Sequence, residues 1–158
     1  MEEANKLIRE RHRKLQELIQ AGVKPYATKF EVTDRAASLF SIYSQSSTEE
    51  LNGKRIPVSI GGRLVAKREH GKASFAHLQD GSGRIQIYVR REEVGEEGYS
   101  QFRKYDIGDI VGVKGHLFRT RTGELTVWGR EVQLLAKSLR PLPEKWHGLS
   151  DKEIRYRQ

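Results

Sequence analysis

Phe75, His77, Arg84, Gln86 and Tyr88 stand two residues apart on either side of the turn-forming run Asp80-Gly81-Ser82-Gly83. Extended backbone sends alternate side chains to opposite faces. A hairpin folded about that run therefore collects two aromatic rings, an imidazole, a guanidinium and an amide on one surface. Unpaired nucleobases are held by such groups. A base stacks on an aromatic ring for about 1–3 kcal/mol, and a cation beside it neutralises phosphate. Each residue also has a structural reading. Phe75 could fill a secondary core under an N-terminal helix, and Tyr88 could pack against the segment that follows its strand. His77 reads as a strand-surface residue rather than a metal ligand, because no second His or carboxylate stands beside it at metal spacing. Glu124, next to Gly123, reads as a solvated loop carboxylate.

Alternation of apolar and polar residues defines the elements that must carry these groups. Val58, Ile60, Gly62 and Leu64 mark a first strand from Ile56, Lys72–Asp80 a second and Arg84–Arg90 a third. In the second strand Ala76 and Leu78 belong to the core, which turns Phe75 and His77 outward. In the third, Ile85, Ile87 and Val89 point inward, leaving Arg84, Gln86 and Tyr88 exposed on the other face. Glu92–Lys104 is rich in helix formers, with Tyr99 and Phe102 as buried anchors. Two more strands follow, Ile110–Arg119 and Leu125–Leu135, joined across Thr120–Gly123. Three strands, a helix and two strands is the order of a five-stranded OB-fold β-barrel. Glycines at 61, 62, 112, 115 and 129 suit the bends of a small barrel.

Ahead of the barrel the chain reads as helical. Leu7, Ile8, Leu15, Leu18 and Ile19 form one stripe of an amphipathic helix, which Gly22 and Pro25 stop. Lys6, Arg9 and Arg13 lie on its opposite face. They form an ordinary solvated face, with phosphate contact as the functional alternative. A second helix is expected near Thr33-Asp34, capped there and burying Phe40 and Tyr43. Thr48-Glu49-Glu50 opens a further short turn. The divisions are thus 1–53 for a helical extension, 54–138 for the barrel and 139–158 for a linker.

The 158 residues carry a net charge of +8. Residues 54–138 hold 16 Lys/Arg against 10 Asp/Glu, whereas residues 1–53 are balanced at 8 and 8. A basic excess confined to the barrel is the footprint of a phosphate-binding surface. The absence of cysteine excludes disulfides and thiolate metal sites and fits a cytoplasmic location. No apolar run of about 18 residues is present to span a bilayer, and the charged N-terminus has no apolar signal core. No Ser/His/Asp set or phosphate-cradling loop before a helix stands out, so the window holds no recognisable enzyme chemistry.

The segment Gly71–Val89 resembles strands two and three of the anticodon-binding domain of bacterial-type lysyl-tRNA synthetases. Tyr105–Gly112 is similar to the start of that domain's fourth strand, and Thr120–Leu125 to its loop between strands four and five. Leu139–Leu149 and Arg155–Gln158 resemble the linker and the threshold of the catalytic domain. The opening helix and Gly22-Val23-Lys24-Pro25-Tyr26 fit the leader. The resemblance implies a domain that holds the uridine-rich anticodon loop of a lysine tRNA. It implies stacking of Phe75 on the central anticodon base, hydrogen bonds from Arg68 and Gln86 to that base, and contact of Glu124 with the first anticodon base. It also implies a catalytic domain after Gln158, which in the parent uses ATP and magnesium and forms most homodimer contacts. The class II motifs for ATP and lysine are not in this chain. The expectation is therefore a recognition module with no cofactor of its own, inactive as a ligase by itself. Sequence-tolerant binding of single-stranded nucleic acid and a protein-interaction module are the competing readings.

Overall fold

A computed structural model describes residues 2–20 and 30–138. The stop at Gly22 to Pro25 and the linker 139–158 lie outside the described residues, as do the side chains of Leu15, Leu18 and Ile19. Helix α1 spans Glu2–Gln20, α2 Ala36–Tyr43 and α3 Thr48–Lys54. Strands β1 (Pro57–His70), β2 (Ala73–Gln79) and β3 (Arg84–Arg90) follow, then the short helices α4 (Arg91–Val94) and α5 (Glu96–Arg103). Strands β4 (Ile110–Arg119) and β5 (Leu125–Ala136) complete the regular structure of the described residues. The five strands close into a barrel in the order β1-β2-β3-β5-β4. The fold is thus mainly β, a five-stranded OB-type barrel preceded by helices.

The long first strand makes closure possible. Its first half pairs with β4, from Pro57↔His116 to Arg63↔Ile110, and its second half pairs with β2, from Arg63↔Gln79 to His70↔Ala73. A register shift between Leu64 and Ala66 marks the bend. A short parallel seam joins β3 to β5, from Gln86↔Thr126 to Val89↔Gly129. β4 and β5 pair antiparallel, with a shift at Lys114/Gly115. A Cβ at Gly115 would lie 1.8 Å from the Trp128 carbonyl oxygen, so only glycine permits that approach.

The inward residues of the alternating strands make the core. Val58, Ile60, Leu64, Ala76, Leu78, Ile85, Ile87, Val89, Val111, Val113, Leu117, Leu125 and Val127 are all buried. Tyr99 and Phe102 of α5 are buried against them, as the sequence suggests. The expected single helix over Glu92–Lys104 is instead two. Gly95 adopts φ 88°, which ends α4, and its N–H closes on the Arg91 carbonyl at 2.9 Å.

The second helix also departs from expectation. It begins at Ala36, and Asp34 does not cap it; the Asp34 carboxylate accepts from the Ser59 N–H at 2.9 Å instead. The first N–H groups of α2 are satisfied from the β2–β3 turn. Ala36 N donates to Asp80 Oδ2 at 2.9 Å and Ala37 N to Ser82 Oγ at 3.0 Å. This start turns Ala36 and Leu39 to the barrel, with Tyr43 partly buried against it, and leaves Phe40 41% exposed. The α3 start is locally encoded. Ser47 Oγ accepts from Glu50 N and Glu50 reaches back to the Ser47 N–H, a reciprocal capping box.

Asp80 serves two elements at once, because its other oxygen accepts from Ser82 N at 2.8 Å and Gly83 N at 3.0 Å. Burial alone would raise its pKa; hydrogen bonds from Ser82, Ala36 and Gly83 outweigh that and lower it. A depressed folded pKa gives stability that is present above the unfolded value and lost as pH falls through the folded one. Asp80→Ala is accordingly expected to lower unfolding free energy by about 1–2 kcal/mol at neutral pH. In urea titrations the deficit should shrink once the pH drops below the ordinary aspartate range.

Candidate nucleic-acid interface

Outside the barrel, register partners line up side chains from all five strands. Arg68, Phe75, Tyr88, Trp128 and His116 are successive partners across β1, β2, β3, β5 and β4. The next row is His77, Gln86, Thr126 and Phe118. The inward turn of Ala76 and Leu78, each 1% exposed, pushes Phe75 and His77 out, as alternation demands.

Phe75 is half-buried, and its ring stacks on Tyr88 with centroids 4.7 Å apart and planes 30° from parallel. The Arg68 guanidinium lies 5.8 Å from the Phe75 centroid. Tyr88 in turn meets Trp128 edge-on at 5.1 Å, and Trp128 stacks on His116 at 5.6 Å. The Arg90 guanidinium lies 5.5 Å from the Trp128 ring. An unbroken run of rings therefore crosses this surface with a guanidinium beside two of them, the combination that suits the π-faces and phosphates of a single strand.

Gln86 does not stand exposed as the strand pattern implies. It lies on the outer face beside Phe75 but is only 4% exposed, because closure of β3 onto β5 places Thr126 against it. Gln86 Nε2 donates to Thr126 Oγ1 at 3.0 Å, and Thr126 Oγ1 donates to the Glu124 carbonyl at 3.0 Å. A hydroxyl has one proton. With that proton committed to Glu124, Thr126 accepts from Gln86, and the Gln86 oxygen faces the other way. There it accepts from Arg68 Nη2 at 3.5 Å. A directed chain thus runs from Arg68 through Gln86 and Thr126 to the backbone of Glu124.

Glu124 sits just before β5, with its carboxylate half exposed and 3.3 Å from His77 Nε2. Arg84 is exposed and donates to Gln79 Oε1 at 3.2 Å. Phe75, Arg68, Gln86, His77 and Glu124 are therefore brought together by distances or hydrogen bonds. The α1 cations are not part of that cluster. Lys6 and Arg9 are exposed, and Arg13 pairs with Glu10 of its own helix. α1 is tied to the barrel through Lys14, which meets Asp106 at 2.7 Å. Asp106 shares Lys137 with Asp109, next to the far end of β5 from Glu124.

Thr126 and Trp128 are the site residues that sequence reading passed over. The alternation of β5, with Leu125 and Val127 buried, already turns both outward. Their pairing with Gln86 and Tyr88 depends on a parallel seam between segments 40 residues apart. Among the described residues no three His, Asp or Glu side chains gather as metal ligands, and no helix is long and apolar enough to cross a membrane.

Residues 58–142 match the model of the OB-fold nucleic acid binding domain of the tRNA anticodon type. The chain is 54% identical over 157 residues to the lysine–tRNA ligase of Carboxydothermus hydrogenoformans, covering 99% of this chain and 31% of that protein. Against the lysine–tRNA ligase of Cupriavidus necator it is 51% identical over 154 residues, covering 98% of this chain and 30% of the relative. The corresponding protein of Bacillus thuringiensis is 50% identical over 157 residues, with 99% and 32% covered. The chain spans about a third of the length of these curated relatives. With a closed five-stranded barrel, an aromatic and cationic outer face and this match over more than half its length, the chain belongs to the tRNA anticodon-binding OB-fold family.

Proposed function

We propose that the chain is the anticodon-reading module of a lysine–tRNA ligase, and that it seats a uridine-rich anticodon loop on the Phe75 face. The observation that carries this is the grouping of Phe75, Arg68 and Gln86 around one half-buried ring, joined by hydrogen bonds to the loop that bears Glu124. The central anticodon base stacks on Phe75. Arg68 donates to a uracil carbonyl, and Gln86 engages the same base edge once Arg68 moves off its amide oxygen. Glu124 accepts the N–H of the first anticodon base. Arg84 and His77 flank the face, and Lys6, Arg9 and Arg13 are at most outlying phosphate contacts. In the parent protein a catalytic domain supplies the chemistry with ATP and magnesium, the subunits pair as a homodimer, and charging of lysine tRNA takes place in the cytoplasm. This chain itself takes no cofactor in this reading.

Selectivity follows from the pairing edge of the base. Uracil presents two carbonyls and one N–H, whereas cytosine has a lone pair where that N–H stands. The Glu124 carboxylate, half exposed in the free chain, would be covered by the docked base, and facing that lone pair would leave it unsatisfied at about 1–3 kcal/mol, or roughly 5- to 150-fold in affinity. Stem-loops in which each anticodon uridine is changed in turn to cytidine test this by anisotropy titration at fixed salt. The first and central substitutions are expected to weaken binding within that range. Equal affinity for all the variants points to sequence-tolerant binding instead, and failure of every stem-loop to bind points to a protein partner.

A further inference from the structure

Arg119, the last residue of β4, spreads its guanidinium over four backbone carbonyls. Nη2 donates to Tyr43 O at 2.9 Å and Ser44 O at 3.4 Å, Nε to Ser46 O at 3.2 Å, and Nη1 to Gly123 O at 2.9 Å. The first three belong to the end of α2 and the connector to α3. The fourth belongs to the residue just before Glu124. The Arg119 backbone is held from the same side, since its N–H donates to Asn52 Oδ1 of α3 at 2.9 Å.

The β4–β5 loop shapes itself through internal bonds. Gly123 N donates to Thr120 O at 2.8 Å, Thr120 N to Glu124 O at 3.1 Å, and Glu124 N to Thr120 Oγ1 at 3.2 Å. These bonds fix the conformation of the loop but not its position against the helices. Arg119 supplies that link. A guanidinium offers five donors in a planar fork, and the carbonyls at a helix C-terminus are both unsatisfied and negative. Lysine, with three donors on a point charge, cannot span the same four acceptors. At its other end α2 is fastened to the β2–β3 turn by Asp80 and Ser82. The helix therefore bridges the two connections that border the Phe75 face.

We propose that Arg119 is a positioning residue for Glu124, holding the carboxylate where it reads the first anticodon base by fastening its loop to the α2–α3 segment. This rests on the role given to Glu124 above, and the test separates the two. Amide hydrogen exchange at Gly123 and Glu124 in the free chain is compared for Arg119→Lys, Arg119→Gln and Asn52→Ala. The uridine-to-cytidine affinity ratio is measured at the first and central anticodon positions for the same variants, for Glu124→Ala and for Arg119→Lys combined with Glu124→Ala.

Arg119→Lys is expected to speed exchange at Gly123 and Glu124 while amides of β3 keep their protection. It should cut the first-position ratio several-fold, toward that of Glu124→Ala, with the central ratio held within about twofold. Asn52→Ala should move both readouts the same way by less. In the double variant the Arg119 change should add nothing to the loss from Glu124→Ala. Unchanged loop exchange, equal loss at both bases, or an additive double variant would each overturn the proposal. Should Glu124→Ala itself leave the first-position ratio intact, the role of Glu124 falls and this inference falls with it. The exchange data then still decide whether Arg119 holds the loop.

Discussion

Phe75→Ala should weaken binding of a lysine anticodon stem-loop by about 1–3 kcal/mol, the loss of one base–ring stack. The ring lies outside the barrel, between Tyr88 and Arg68, so its removal leaves the interior untouched: Ser74 and Ala76 on either side remain buried. The unfolding midpoint should therefore change far less than the affinity. Phe75→Trp keeps a stacking surface and is expected to retain most of the binding. Anisotropy titrations at one salt concentration, paired with thermal melts, check both statements. Wild-type affinity in the alanine variant would remove stacking from the account.

The second large effect concerns stability. Lys137 is buried to 0% side-chain exposure and donates to Asp106 at 2.5 Å and Asp109 at 2.8 Å. Asp109 is equally buried and also accepts from Asp106 N at 2.7 Å and Ser138 N at 2.9 Å. Burial raises the Asp109 pKa against the pull of Lys137 and these N–H groups. At Asp106 burial also acts upward, but hydrogen bonds from Lys137 and Lys14 prevail and lower it. Lys137→Met keeps the volume but leaves two carboxylates without their shared cation. Loss of one partner from a buried ion pair costs about 3–5 kcal/mol, and that is the expected drop in unfolding free energy at pH 7.

The sign of its pH dependence is opposite to that of the Asp106 contribution in the native chain. Without the lysine, Asp109, whose pKa burial already raises, loses the largest pull opposing that rise, while Asp106 keeps Lys14 as a partner. Stability tied to a raised pKa is full below the unfolded value and is lost as pH climbs through the folded one. The gap between variant and wild type should therefore narrow from pH 7 toward pH 4. Urea unfolding across that range checks it, and a gap that widens in acid would contradict the charge argument.

The parts of this fold that sequence reading captures are those governed by near neighbours. β3 and β4 run over Arg84–Arg90 and Ile110–Arg119, the bounds that alternation predicts. The Asp80 to Gly83 turn and the outward Phe75 and His77 follow from the same period of two. The parts it misses depend on distant contacts. Gln86 is buried because Thr126 closes on it from a strand 40 residues away. β1 reaches His70 through the charged run Lys67-Arg68-Glu69 because two different strands pair with its two halves. Lys67 also buries its amine among the carbonyls of Phe102, Arg103 and Tyr105 at the end of α5. Asp34 looks like a cap in the sequence, yet Asp80 performs the capping from another element. Arg119 reads as one more basic residue at a strand end, since none of its four acceptors is a side chain.

The five strands close on one another into a cylinder, with the first half of β1 zipped to β4 and its second half to β2. Among the described residues each strand has a neighbour on either side, so none offers a full-length margin for a sixth strand. Partners must instead be judged by what projects from the wall. Changes in specificity then require only new side chains on a staved surface whose hoops stay intact, and such exchanges leave the cask itself watertight.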